Sequence, residues 1–205
     1  MASSKSKKIS DVSIKSKKSK EIESNESRVV NGDMSQNLIK YGIIFMIIGY
    51  LICMILTINY ALQTNIAVDD LQSSLLGVEY NQDDYHNIKS MSSGLAISVV
   101  IFVVVALVLA IVWLFIRNSS NMTIFVSYIV TFVVIVSFPI AFLALAGGIN
   151  SEISKFTALN ITQLNDSIDN VKMNNNNVIV TSTLGLIFSI GLIVMFVFYR
   201  EPDML

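Results

Sequence analysis

The sequence predicts an all-α membrane protein: a bundle of four transmembrane helices with both termini cytoplasmic and a short helical cap on the outer side. Three observations lead to this prediction. They are four long apolar runs without Asp, Glu, Lys, Arg or His, a lysine-rich segment before the first run, and matching apolar stripes in two connections. Backbone polar groups find no water inside a bilayer, so a continuous apolar run crosses it as a helix.

The four predicted spans lie at about residues 41–58, 94–116, 123–149 and 178–199. The hydrocarbon core of a bilayer is ~30 Å thick, which requires roughly 20 helical residues at a rise of ~1.5 Å each. The spans and their connections form a membrane domain over residues 37–200. We therefore expect no separate soluble catalytic domain among these residues.

The segment before the first span, residues 1–36, is rich in Ser and Lys and contains no aromatic residue. Such a composition cannot bury a core, so a disordered, polybasic cytoplasmic tail is predicted. The sequence Lys5-Ser-Lys-Lys8 recurs at positions 15–18, and seven lysines form the candidate site for anionic lipid: Lys5, Lys7, Lys8, Lys15, Lys17, Lys18 and Lys20. The alternative is a solvated tail that only fixes the topology of the protein.

Charge also predicts which way the chain is inserted. Nine of the fourteen basic residues lie at or before Lys40, and short basic flanks stay cytoplasmic. No secretory signal peptide is visible, so the first span is expected to act as an uncleaved signal anchor. Four spans return residues 201–205 to the cytoplasm and place the connections 59–93 and 150–177 outside. Two glycosylation sequons, at Asn160 and Asn165, fall in the second outer connection and agree with this orientation.

The two outer connections each carry an apolar stripe with a 3-4-3 spacing, which is typical of a helix face. The first stripe consists of Val68, Leu71, Leu75 and Val78. The second consists of Ile161, Leu164, Ile168 and Val171. Two helices with such stripes are expected to pack on each other as a short coiled-coil-like cap, although each stripe is shorter than three heptads. The alternative is that each stripe lies on the membrane surface or is a chance pattern.

Between these predicted elements we expect two irregular segments. Residues 80–86 are predicted to form an acidic, aromatic loop, and residues 174–177 a polar hinge before the fourth span. Asp83, Asp84 and His86 are not expected to converge on a metal ion. Cys53, the only cysteine, excludes an intramolecular disulfide and is predicted to be a small packing residue.

The spans contain small residues at helix-packing spacing. Thr181, Gly185 and Ser189 recur every four residues in span four, which predicts close helix contacts there. We favour packing within the bundle, with association to a second copy or another membrane protein as the alternative. Pro139 in span three is predicted to kink its helix, either as a packing adjustment or as a gate.

These features favour some function classes over others. Charge-free spans argue against proton-coupled transporters, pumps, voltage sensors and intramembrane enzymes. The sequence therefore predicts a non-enzymatic scaffold or accessory subunit of a complex in the plasma membrane or an endomembrane. Its partners would be the lipid bilayer and another membrane protein or itself, with no cofactor and no nucleic acid. Two alternatives remain: an oligomeric channel or transport protein, and a vesicle-trafficking protein whose tail binds lipid.

Overall fold

The computed structural model describes the backbone of residues 3–116, 120–157 and 164–198, and the side chains of residues 38–116, 120–156 and 164–197. It contains four long helices, α1 (Ser3–Ser74), α2 (Gln82–Ile116), α3 (Asn121–Thr157) and α4 (Asn165–Phe198). Within these ranges there is no strand, so the predicted all-α class is confirmed. The predicted tail, residues 1–36 with its seven lysines, lies outside the described side chains. Its disorder and its lipid binding stay predictions.

All four helices are long and apolar enough to cross a membrane, which indicates a multi-pass membrane protein. The candidate membrane-crossing stretches are Leu38–Ser74, Gln82–Ile116, Asn121–Phe156 and Asn165–Val197, of 37, 35, 36 and 33 residues. At a rise of ~1.5 Å per residue, such helices are about 50–55 Å long and exceed the hydrocarbon thickness by roughly 20–25 Å. Each helix therefore continues well beyond the part that a bilayer can cover.

The helices include two segments that the sequence analysis assigned as irregular. α2 begins at Gln82 rather than after His86, and residues 174–177 lie inside α4 rather than in a hinge. The predicted loop is a helix start because the Asn81 side-chain oxygen accepts a hydrogen bond from the Asp83 amide at 3.1 Å. Two carboxylates in the first turn of α2 also favour its N-terminus electrostatically.

The turn between α1 and α2 is short. Gly77 adopts a φ of 87°, in the left-handed region that residues with a Cβ rarely occupy. Just before it, the Leu75 amide donates to the Leu71 carbonyl at 3.1 Å and closes the end of α1. This reversal brings α2 back alongside α1.

The chain divides into two compact units, residues 1–44 with 195–205, and residues 45–194. In the first, a Cβ built on Gly42 would lie 3.2 Å from the Met195 methyl carbon, so the backbone there passes close to that side chain. The second unit contains the packed parts of all four helices.

In the second unit, neighbouring helices run antiparallel. Asp69 of α1 forms an ion pair with Lys89 of α2, while Asn65, one turn earlier, accepts a hydrogen bond from Ser92. Hydrogen bonds also join the remaining neighbouring pairs, among them Trp113–Thr131 for α2–α3, Asn150–Asn176 for α3–α4 and Thr57–Thr181 for α4–α1. Residues 45–194 therefore form an up-down-up-down four-helix bundle.

The antiparallel order places residues 59–93 and the described residues of 150–177 at the same end of this bundle. We call the described residues of these two segments the helical extension. Its core draws side chains from all four helices and the α3–α4 connection: Ala61, Ala67, Val68, Leu71, Leu75, Tyr85, Ile88, Ile153, Phe156, Leu164, Ile168 and Val171. The extension is thus a continuation of the whole bundle.

The predicted stripes are part of that core. Val68, Leu71 and Leu75 are buried, as are Leu164, Ile168 and Val171, whereas Val78 is half-buried and Ile161 lies outside the described residues. Because these side chains face other helices, the alternative that the stripes lie flat on a membrane surface is wrong. The core also includes residues of the other two helices, Tyr85 and Ile88 of α2 and Ile153 and Phe156 of α3, so the stripes do not pack as an isolated pair.

The membrane-crossing part has the opposite distribution of apolar side chains. In the most apolar stretch of α2 only 6% of residues are buried, and large side chains such as Ile101, Val104 and Leu107 point outward. Exposed apolar surface of this extent is expected where a helix faces lipid tails.

Candidate functional site in the bundle interior

The α1–α4 contact is held by hydroxyl groups. Thr57 Oγ1 donates to Thr181 Oγ1 at 2.8 Å, and Thr181 Oγ1 donates to the Asn177 carbonyl at 2.7 Å. Both threonines are almost fully buried. Hydrogen bonds between spans are worth about 0.6–2 kcal/mol each in membrane proteins, so this chain links the two helices directly.

The small residues singled out in span four lie on the buried face of α4. Thr181, Gly185 and Ser189 are all buried against other helices of the same chain. A Cβ at Gly185 would touch Met54 of α1 and Pro139 of α3, at 3.5 and 3.9 Å from their nearest atoms. This face is therefore used within the bundle and is not available to a second copy or another protein.

Among the described glycines, the tightest contact for an added Cβ is at one that the sequence did not single out. A Cβ built on Gly49 of α1 would lie 2.6 Å from the Phe188 ring of α4, closer than real Cβ atoms come. Phe188 also meets Phe45 edge-to-face, with ring centroids 6.2 Å apart. The only signal in the sequence was the spacing of Gly42 and Gly49, seven residues apart, which is too common in spans to be selective.

Pro139 lies inside α3, where it is buried. Proline has no amide hydrogen, so the carbonyl four residues earlier, that of Ile135, loses its helical partner. The Tyr50 hydroxyl of α1 donates to this Ile135 oxygen at 3.1 Å. Tyr50 thus replaces the hydrogen bond that Pro139 removes, and it joins α1 to α3 across the bundle.

Amide side chains form a second polar cluster, at the boundary between the spans and the extension. Asn175, fully buried on α4, donates through Nδ2 to the Ala146 carbonyl and to Asn150 Oδ1, both at 2.7 Å. Asn150 in turn donates to Asn176 Oδ1 at 2.8 Å. These bonds explain why residues 174–177 are helical, because a buried amide is stable only where its partners are fixed.

The surface of the extension carries the ionic contacts. Lys155 of α3 bridges Glu152, at 2.7 Å, and Asp84 of α2, at 3.3 Å. These hydrogen bonds raise the pKa of Lys155 above its usual value. Burial raises the pKa of the Tyr85 phenol, and the negative charge of Asp69 adds to this shift.

Both shifts predict that the extension loses stability in alkali. A raised pKa means that the folded state favours the protonated group. The stabilisation is therefore complete below the pKa of the unfolded state, which is near 10.0 for Tyr85. It is lost as the pH rises through the higher pKa of the folded state. We expect the thermal unfolding midpoint to fall above about pH 10. In Tyr85→Phe, whose ring cannot ionise, the fall should be shallower, and an unchanged pH profile in this variant would contradict the assignment.

The remaining candidate residues are dispersed. Asn165 is exposed at the first residue of α4, and Asn160 lies outside the described residues. Asp83 and His86 line an open pocket of about 320 Å³ together with Tyr80, Gln82 and Tyr85. Among the described residues, no group of three or more His, Cys, Asp or Glu side chains is placed to hold a metal ion.

The buried polar side chains of the described residues are therefore uncharged, and their hydroxyl and amide groups connect the helices. Comparison with protein-family models, with curated proteins and with solved structures finds no match to this chain.

Proposed function

We propose that this protein is a non-enzymatic scaffold or accessory subunit of a membrane complex, with the helical extension as its docking surface on the outer side. The observation that carries the proposal is that the packed core of the bundle continues through the extension, past the predicted spans. A packed element of this kind can present a fixed surface to a partner. The predicted spans contain no charged side chains, so they offer no proton or ion chemistry in which the extension would take part.

The charge of the extension supports a docking role. Residues 59–93 and 150–177 contain eight carboxylates and three lysines. Lys89 and Lys155 are already paired with carboxylates of the extension, and Lys172 also has a partner within the protein. Three exposed carboxylates, Asp70, Glu79 and Asp83, form no ion pair with the described residues, and they favour a partner with a basic surface.

The test is purification of the tagged full-length protein in mild detergent, followed by identification of proteins present in fixed ratio. We expect a partner whose recovery falls in the variant Asp70→Asn, Glu79→Gln, Asp83→Asn. Its recovery should be unchanged when the seven tail lysines are replaced by Gln. Equal recovery from both variants would argue against the extension as the docking surface, and ion flux through liposomes that contain the protein alone would overturn the scaffold proposal.

The orientation is tested separately by glycosylation. If the extension is outside, the sequons at Asn160 or Asn165 are accessible to the glycosylation machinery of the lumen. A glycosidase-sensitive mass shift should then disappear in the double variant Asn160→Gln, Asn165→Gln. The same sequon pattern occurs at Asn25, Asn118 and Asn121, which lie on the predicted cytoplasmic side. A shift that instead requires one of these three would reverse the proposed topology.

The second candidate is a channel or transport protein. The observation that favours it is the row of hydroxyl and amide groups on the inner face of α4, because neutral polar linings occur in pores. Reconstituted flux that depends on these groups would favour it over the scaffold.

A further inference from the structure

Three polar residues on α4 lie on one line along the bundle interior. Asn175, Ser182 and Ser189 are seven residues apart, and each has no exposed surface. A spacing of seven changes the direction of a side chain by only about 20° per step, so the three residues face the same side of the helix. This row, which we call the α4 polar seam, is buried within the protein rather than exposed on its surface.

The hydrogen bonds of the seam are incomplete. Ser189 Oγ donates to the Leu186 carbonyl at 2.8 Å. By contrast, Asn175 Oδ1 and Ser182 Oγ have no partner among the described residues, although both atoms are buried. Native proteins rarely leave buried polar atoms in this condition, because the lost contact with water is not replaced.

Exchanging the side-chain oxygen and nitrogen of Asn175 by a 180° rotation of the amide does not supply the missing hydrogen bond. Its Nδ2 donates to two oxygens, those of Ala146 and Asn150. Turning the amide over would place Oδ1 against the Ala146 carbonyl, where two acceptors repel each other. Asn175 Oδ1 therefore remains an acceptor that needs a donor from elsewhere.

We propose that the bundle interior contains two internal water sites, one at Asn175 Oδ1 and one at Ser182 Oγ. A water molecule can donate to the amide oxygen, and it can both donate to and accept from the serine hydroxyl. A cation fits less well, since no described carboxylate lies in the seam and an unpaired buried charge is strongly disfavoured.

The distance between the two sites limits what they can do. Seven residues along a helix correspond to about 10 Å, several times the ~3 Å separation of hydrogen-bonded groups. The sites therefore hold separate waters and do not form a continuous file. This inference is independent of the proposed docking function, and it applies to a scaffold and to a transport protein alike.

Each site has a buried reporter on a neighbouring helix. Met54 contacts the α4 face at Gly185, one turn from Ser182, and is 1% exposed. Phe142 is fully buried on α3, one turn from Ala146, to which Asn175 bonds. A bound water that is split by X-rays releases a hydroxyl radical that oxidises such a neighbour even where bulk water does not reach it.

The experiment is X-ray hydroxyl-radical labelling of the full-length protein in detergent, with oxidation of Met54 and Phe142 read by mass spectrometry. In the unaltered protein, oxidation of both residues should persist when a scavenger removes radicals from bulk water. Ser182→Ala should abolish the scavenger-resistant oxidation of Met54 and spare that of Phe142. Asn175→Leu should abolish the scavenger-resistant oxidation of Phe142 and spare that of Met54.

Thr183→Ala serves as the matched control, since Thr183 lies on the exposed side of the same helix. It should leave both signals unchanged. If the scavenger eliminates the oxidation of Met54 and Phe142 in the unaltered protein, the proposal is overturned without any variant. It is also overturned if the scavenger-resistant oxidation is unchanged in both Ser182→Ala and Asn175→Leu.

Discussion

Gly49→Ala is expected to lower the free energy of unfolding by about 1–3 kcal/mol, the usual cost of forcing an extra group into a packed core. The added Cβ would lie 2.6 Å from the Phe188 ring. That ring also packs against Phe45, so it cannot turn away without losing a second contact. The half-buried Phe188 ring or the two helices must therefore shift, although alanine by itself favours a helix over glycine by ~1 kcal/mol. Denaturant unfolding of the purified protein in detergent measures the effect.

Gly185→Ala is the matched control for this prediction. The same methyl group would there meet Met54, Cys53 and Pro139 at 3.5–3.9 Å, which is ordinary contact. We expect it to be neutral or to stabilise the protein by up to ~1 kcal/mol through helix propensity. If the two variants have the same stability, or if Gly185→Ala is the more harmful, the assignment of the close α1–α4 contact to Gly49 is wrong.

Tyr50→Phe is expected to destabilise the protein by about 1–3 kcal/mol, since it leaves the partly buried Ile135 carbonyl without a partner. The ring volume is nearly unchanged, so the loss reports on the hydrogen bond to the Ile135 oxygen. Unfolding in detergent again provides the measurement, and unchanged stability would show that this bond contributes nothing.

The effect should depend on Pro139, because Pro139 is the reason that the Ile135 carbonyl needs Tyr50. In a Pro139→Ala background the alanine amide can donate to Ile135, so Tyr50→Phe should cost less than in the unaltered protein. A double-mutant cycle measures the difference as a coupling free energy. Additive effects of the two substitutions would contradict the proposed link between the proline and the tyrosine.

The comparison of sequence and structure is most instructive for α4. Its sequence identified Thr181, Gly185 and Ser189 as a packing face, because small residues four apart share one side of a helix. The sequence also predicted a hinge at residues 174–177, since four consecutive asparagines have low helix propensity and suggest a linker. Their helical state depends on Asn150 and Ala146 of α3, which supply the partners of Asn175. No local pattern contains that information.

The sequence likewise does not show which glycine lies in a close contact between helices. Gly185 and Gly49 are both glycines within apolar spans, and the sequence favoured Gly185 because of its regular neighbours. The close contact lies instead at Gly49, since the Phe188 ring points at it from another helix. Likewise the sequence predicted a consequence of Pro139 for α3 but not the compensating hydrogen bond from the Tyr50 hydroxyl to the Ile135 carbonyl, two residues that lie 85 positions apart in the chain.

The sequence by itself determined the class of this protein: helical, multi-pass, with four apolar segments that a bilayer requires to be helices. It could do so because transfer of a long apolar run into lipid, and the need to satisfy backbone hydrogen bonds there, depend on local composition alone. The tertiary structure decided which glycine meets a ring, which carbonyl receives the tyrosine and which asparagine is buried. Those outcomes depend on the register between antiparallel helices, and that register is set by the packing of side chains distant in sequence.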